Sequence, residues 1–126
     1  MFKKLFAVCL LVEDFKKTFG FYHDVLGLKL KSRDGDQFAN FELEGTELAI
    51  FQKDAAVAMF PKEHMGHGGG VCLGFQVENL EKACQDLKTK GVLTFEGPKT
   101  TAWGQKVAYF KDPDGNVWEA SEPFEE

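Results

Sequence analysis

The feature that most limits how this chain can fold is that it repeats itself. Val12-Glu13-Asp14-Phe15-Lys16-Lys17 recurs about 65 residues later as Val77-Glu78-Asn79-Leu80-Glu81-Lys82. Each copy runs from an apolar, strand-like stretch into an Asp or Asn suited to N-capping a helix, then into helical periodicity, then to a glycine suited to the position just past a helix. The periodic residues are Phe15, Phe19, Tyr22, Val25 and Leu26 before Gly27, and Leu80, Ala83, Cys84 and Leu87 before Gly91. Three strand-like segments follow each glycine, at 28–34, 37–44 and 46–52, and again at 92–96, 104–111 and 116–121. Asp34-Gly35, Glu44-Gly45 and Asp112-Pro113-Asp114-Gly115 separate them with hairpin turn chemistry.

The expected fold is therefore α+β, one βαβββ unit used twice. The first unit is expected over residues 1–53, a linker over 54–69 and the second unit over 70–126, all within a single domain. One helix covers only one face of a sheet, so the other face must be covered by something else or left as a groove. Two such sheets are expected to make a cleft.

Bulk properties narrow the partners. A chain of 126 residues, 44% of them hydrophobic, is sized for one core. A net charge of -5 argues against nucleic acid, which is bound by clustered Lys and Arg. No stretch approaches the roughly 20 apolar residues of a membrane span. Lys3-Lys4 and the apolar run from Leu5 to Val12 mimic a secretory signal, but Glu13-Asp14 follows at once and no small-x-small cleavage site is present. Cys9, Cys72 and Cys84 are odd in number and irregularly spaced, which fits reduced thiols in a cytoplasm. The expected partner is a small organic molecule, neutral or cationic, with no nucleic acid and no membrane.

Particular phrases carry a resemblance: Val12-Glu13-Asp14, Phe21-Tyr22-His23-Asp24-Val25-Leu26-Gly27-Leu28, Phe75-Gln76-Val77-Glu78-Asn79-Leu80, Trp103-Gly104, and Phe110-Lys111-Asp112-Pro113-Asp114-Gly115-Asn116-Val117-Trp118-Glu119. In these the chain resembles the vicinal oxygen chelate superfamily of glyoxalases, bleomycin resistance proteins and extradiol dioxygenases, over nearly its whole length. The resemblance implies paired βαβββ units around a cavity, usually in a homodimer. It implies activities that range from glyoxalase, dioxygenase, epimerase and fosfomycin-modifying chemistry to antibiotic binding without chemistry. Fold alone does not choose among them.

The resemblance also implies four metal-ligand positions: one five residues before the Val that ends each unit's first strand, and one on each unit's last strand. Here these fall on Ala7, Cys72, Ala49 and Glu119. Alanine has no donor atom, and a catalytic zinc site normally uses three protein ligands and an open position. Cys72 and Glu119 alone are one short, and a thiolate suits softer ions than the family's nitrogen and carboxylate sets. A divalent metal is not favoured; if one binds, the third ligand is expected from the glycine-rich segment, where His64 and His67 lie, with Glu119, Cys72 and His67 as the set.

Strand alternation assigns the remaining faces. Ala7, Cys9, Leu11, Cys72, Gly74 and Gln76 are expected toward the cleft, and Phe6, Val8, Leu10, Leu73, Phe75 and Val77 toward the helices. Ala49, Phe51, Val117 and Glu119 join the cleft, as does the row Trp103, Gln105, Val107 and Tyr109, with Phe38 completing an aromatic wall. Any one of these rings could instead pack under the linker or in a dimer interface. Glu119, a carboxylate in a partly apolar cleft, needs a cation or a hydrogen-bond donor as its partner and is the best catalytic candidate if there is catalysis. Cys72 reads as a buried, inert thiol, since no motif fixes a histidine beside it. Three functions follow: a small-molecule binder anchored by Glu119 that sequesters a drug or aromatic metabolite; a metal-dependent lyase, isomerase or dioxygenase using Glu119, Cys72 and a loop histidine; or an accessory domain with a vestigial cleft.

Overall fold

A computed structural model describes residues 2–123 and divides them into two compact units, the first ending at Gly66 and the second beginning at His67. Each is α+β, with a four-stranded mixed sheet.

In the first unit β1 (Ala7–Val12) leads into α1 (Phe15–Gly20), which continues as a π-helical turn over Phe21–Val25; β2 (Lys29–Asp34), β3 (Phe38–Leu43) and β4 (Thr46–Gln52) follow. The sheet order is β1-β4-β3-β2, with β1 parallel to β4 and the other pairs antiparallel. Asp14 N-caps α1 by accepting from the Lys17 amide at 3.2 Å. The side chain of Gln52 then closes the corner between β1 and α1: it accepts from the Phe15 amide at 2.9 Å and donates to the Glu13 carbonyl at 2.7 Å. Leu10, Val12, Phe15, Tyr22, Phe41, Leu48 and Ile50 are buried between helix and sheet.

The second unit repeats the plan with β5 (Cys72–Gln76), α3 (Leu80–Thr89), β6 (Glu96–Thr100), β7 (Lys106–Lys111) and β8 (Val117–Ser121), in the order β5-β8-β7-β6. Asn79 caps α3 as Asp14 caps α1, and Glu122, just past β8, accepts from the Leu80 amide at 2.9 Å. The same tie is thus made twice, by the residue at or just beyond the end of each unit's last strand. Leu80, Leu87, Val107, Ala108, Phe110, Trp118 and Ala120 are buried, and the Phe75 ring stacks on Trp118 at 4.2 Å.

Several expectations differ from what is found. The segment expected as a linker is partly structured: α2 (Lys53–Ala56) continues directly from β4, and a 3-10 turn spans Lys62–His64. Lys53 is buried and donates to Glu13 at 2.7 Å and to the Gly66 carbonyl at 2.8 Å, which fastens the end of this segment to the first unit. The strand expected at 92–96 lies instead at Glu96–Thr100, because Val92 still bonds back to the Leu87 carbonyl at 2.8 Å and belongs to the end of α3. Phe6, expected against the helices, precedes β1 and is 72% exposed.

Candidate functional site

The second sheet presents, on the face away from α3, a row of directly opposed residues: Gly74 on β5, Glu119 on β8, Tyr109 on β7 and Glu96 on β6. The hairpin turn at 112–116 sets this register. Asp112 is buried and its carboxylate accepts from the amides of Asp114 at 3.0 Å and Asn116 at 2.8 Å and from the Asn116 side chain at 2.8 Å, so the turn has one shape and its strands one alignment. Gly68 lies under that turn. A Cβ there would stand 2.5 Å from the Asp114 carbonyl oxygen and 2.8 Å from the Asn116 amide nitrogen.

At the centre of the row the Tyr109 hydroxyl donates to Glu119 Oε1 at 2.7 Å. This bond pushes the Tyr109 phenol up to about 12, with burial adding to it, so the tyrosine keeps its proton and acts as a donor. The other carboxylate oxygen, Oε2, leans over Gly74, 3.7 Å from where a Cβ would be. Glycine leaves that side of the carboxylate without a covering side chain. Cys72 shares the face and, contrary to the buried thiol expected, is exposed because it opens β5 at the sheet edge; partial desolvation and then the Glu119 charge raise its thiol pKa, which disfavours the thiolate. Beyond Tyr109, the Phe95 ring lies 6.2 Å away, and the Lys111 ammonium sits 5.5 Å from the Phe95 ring centre.

The corresponding row of the first sheet is Cys9, Ala49, Asn40 and Ser32. Ala49 stands where Glu119 stands, and Asn40 where Tyr109 does. A carboxylate is nevertheless present two residues back along β4: Glu47 accepts from Asn40 Nδ2 at 3.0 Å and pairs with Lys31. Asn40 and then Lys31 hold its pKa below the usual carboxylate range. The alternation that puts Ala49 and Phe51 on this face puts Glu47 there too, which the sequence reading passed over. Phe38 and Phe51 face each other across the β3–β4 pair, edge to face at 5.3 Å.

Of the other residues singled out from the sequence, Trp103 lies in the turn before β7 rather than on the strand, 64% exposed, its indole N–H donating to Gln105 at 3.1 Å. The turn closes because Gly104 donates to the Thr101 carbonyl at 3.0 Å and Gln105 to the Thr101 hydroxyl at 3.0 Å. Val107, expected to line an open cleft, is fully buried. Glu119, Tyr109 and Cys72 are thus brought together in the second unit, while Phe38 and Phe51 form a pair within the first.

The donor set does not fit a divalent metal. Two of the four positions at which the resemblance implies ligands are alanine, which has no donor atom, and Glu119 Oε1 already accepts from the Tyr109 hydroxyl. Among the described residues no three His, Cys, Asp or Glu side chains form a group that could hold a metal ion. His64 is exposed, 3.5 Å from Glu63.

The chain belongs to the Glyoxalase/Bleomycin resistance protein/Dioxygenase superfamily, whose family model matches residues 4–120. It is 33% identical over 122 residues to the uncharacterized protein YraH of Bacillus subtilis (strain 168), covering 92% of this chain and 95% of that one. It is 28% identical over 110 residues to the metallothiol transferase FosB of Lysinibacillus sphaericus (strain C3-41), covering 86% of this chain and 74% of that protein. Among solved structures, a glyoxalase/bleomycin resistance protein/dioxygenase family enzyme from Burkholderia phytofirmans PsJN matches with a TM-score of 0.84 at 19% identity, covering 97% of this chain and all (100%) of that one. A likeness at that identity shows the fold and leaves the activity to the site. No helix among the described residues is long and apolar enough to cross a membrane.

Proposed function

We propose that this protein binds a small organic molecule bearing an ammonium or another strong hydrogen-bond donor, without a metal and without covalent chemistry, on the helix-free face of its second sheet. The observation that carries this reading is the Tyr109 hydroxyl on Glu119 Oε1, which orients the carboxylate and leaves Oε2 above a glycine. A carboxylate oxygen held this way accepts a charge-assisted hydrogen bond at little cost in ordering. The Tyr109 and Phe95 rings offer apolar surface beside it, as small-molecule sites usually do. Cys72, with its thiol pushed up, offers no activated nucleophile.

The competing reading, a metal-dependent transferase, lyase or dioxygenase, draws on the FosB relative and on Glu119 and Cys72 standing at family ligand positions. It lacks a donor at positions 7 and 49. Elemental analysis after dialysis against zinc, nickel, manganese and iron(II) separately, combined with calorimetric titration of benzylamine, separates the two. Metal far below one per chain, with benzylamine binding abolished in Glu119→Gln and indifferent to chelator, is the expected result. Near-stoichiometric retention of any of the four metals would overturn the metal-free reading. From the family we also infer a homodimer, and from the odd, irregularly spaced cysteines a cytoplasmic location, which light scattering on the purified protein and fractionation of its host cells test.

A further inference from the structure

The face that carries Glu119 also carries a positive charge. Lys111 lies two residues beyond Tyr109 on β7, so it projects to the same side, about 7 Å further along the strand. Among the described residues its ammonium pairs with no carboxylate; its contact is with the face of Phe95. Glu96, the other carboxylate of the row, is already paired with Lys99 at 3.2 Å. Running along the face are therefore an acceptor at Glu119 Oε2, an aromatic shelf formed by Tyr109 and Phe95, and a cation at Lys111.

Resting on the binding function proposed above, we infer that the ligand is an amphoteric aromatic compound. Its donor or ammonium end meets Glu119, its ring lies against Tyr109 and Phe95, and a carboxylate or similar anionic end meets Lys111. A purely cationic ligand would satisfy Glu119 and bring its ring beside an ammonium with no charge to offset it. A purely anionic one would meet Glu119 with like charge. Only a molecule carrying a donor at one end and an anionic group at the other matches both charges.

The test uses three matched probes on the full chain by calorimetry: benzylamine, 4-methylbenzoate and 4-(aminomethyl)benzoate. The two-ended probe is expected to bind about tenfold more tightly than benzylamine. Lys111→Gln should bring that ratio to about one, with an unchanged melting temperature showing that the variant is folded. Equal affinity of benzylamine and the two-ended probe for the wild type, with both lost in Glu119→Gln, would overturn this inference and leave Glu119 as an anchor. A gain that survives in Lys111→Gln would overturn the role of Lys111. Failure of all three probes, or binding unaffected by Glu119→Gln, would overturn both this inference and the function on which it rests.

Discussion

Tyr109 holds its proton because ionising it would place a phenolate against the carboxylate that now accepts its hydrogen bond. An absorbance titration of the phenolate should therefore show one tyrosine with a midpoint at about 12, and Glu119→Gln should bring that midpoint down toward the ordinary value of 10.0. The consequence for stability has a definite sign. A folded-state pKa above the unfolded one means that the contribution is complete below pH 10 and is lost as pH rises through about 12. Between pH 6 and 9, by the same linkage, Tyr109 should add no slope to stability. That Tyr109 and Glu119 share a face was legible from alternation on their two strands. That they touch was not read from the sequence, although the two are equally far from Asp114 at the centre of the hairpin turn, which is what places them opposite each other. The hydroxyl's choice of Oε1, which frees Oε2 above Gly74, depends on side-chain rotamers and could not be read from spacing.

Between residues and the whole chain lie the devices that make each βαβββ unit close. Gln52 and Glu122 each reach from the end of a final strand to the first amide of the unit's helix, at 2.9 Å in both cases. Gln52→Ala removes an acceptor and a donor at once and should lower stability by about 1–2 kcal/mol in urea denaturation. Gln52→Glu keeps the acceptor for Phe15 and should recover part of the loss. Gly68→Ala is expected to cost about 1–3 kcal/mol, because its new methyl group meets backbone of the Asp114–Asn116 turn rather than a side chain that can swing away; an Ala substitution at Gly70, where a Cβ meets nothing within 4 Å, is the control. Helix starts and hairpin turns were legible because capping and turn residues act locally. The position of β6 was not. Pro98 argues against a strand on local grounds, yet β6 is the edge of its sheet, where a missing amide is tolerated, and pairing with β7 decides where the strand lies.

At the scale of the molecule the repeat lays down two sheets on one plan and fills them differently. The row Cys9, Ala49, Asn40 and Ser32 and the row Gly74, Glu119, Tyr109 and Glu96 occupy matching places on matching strands. The plan was legible because the repeat, the caps and the glycines survive in both copies. The filling was legible only in part: an alanine announces a lost donor, but Glu47, two residues away, had no family position to draw attention to it. The first unit therefore serves as an internal comparison, a like sheet with alanine in place of Glu119 and asparagine in place of Tyr109. In a single amide-resolved NMR titration, a compound that merely prefers exposed sheet will move signals in β3 and β4 as readily as those in β7 and β8. One recognised by the carboxylate and its tyrosine will leave the first set still. Selectivity becomes an intramolecular ratio, independent of protein concentration and of any reference variant.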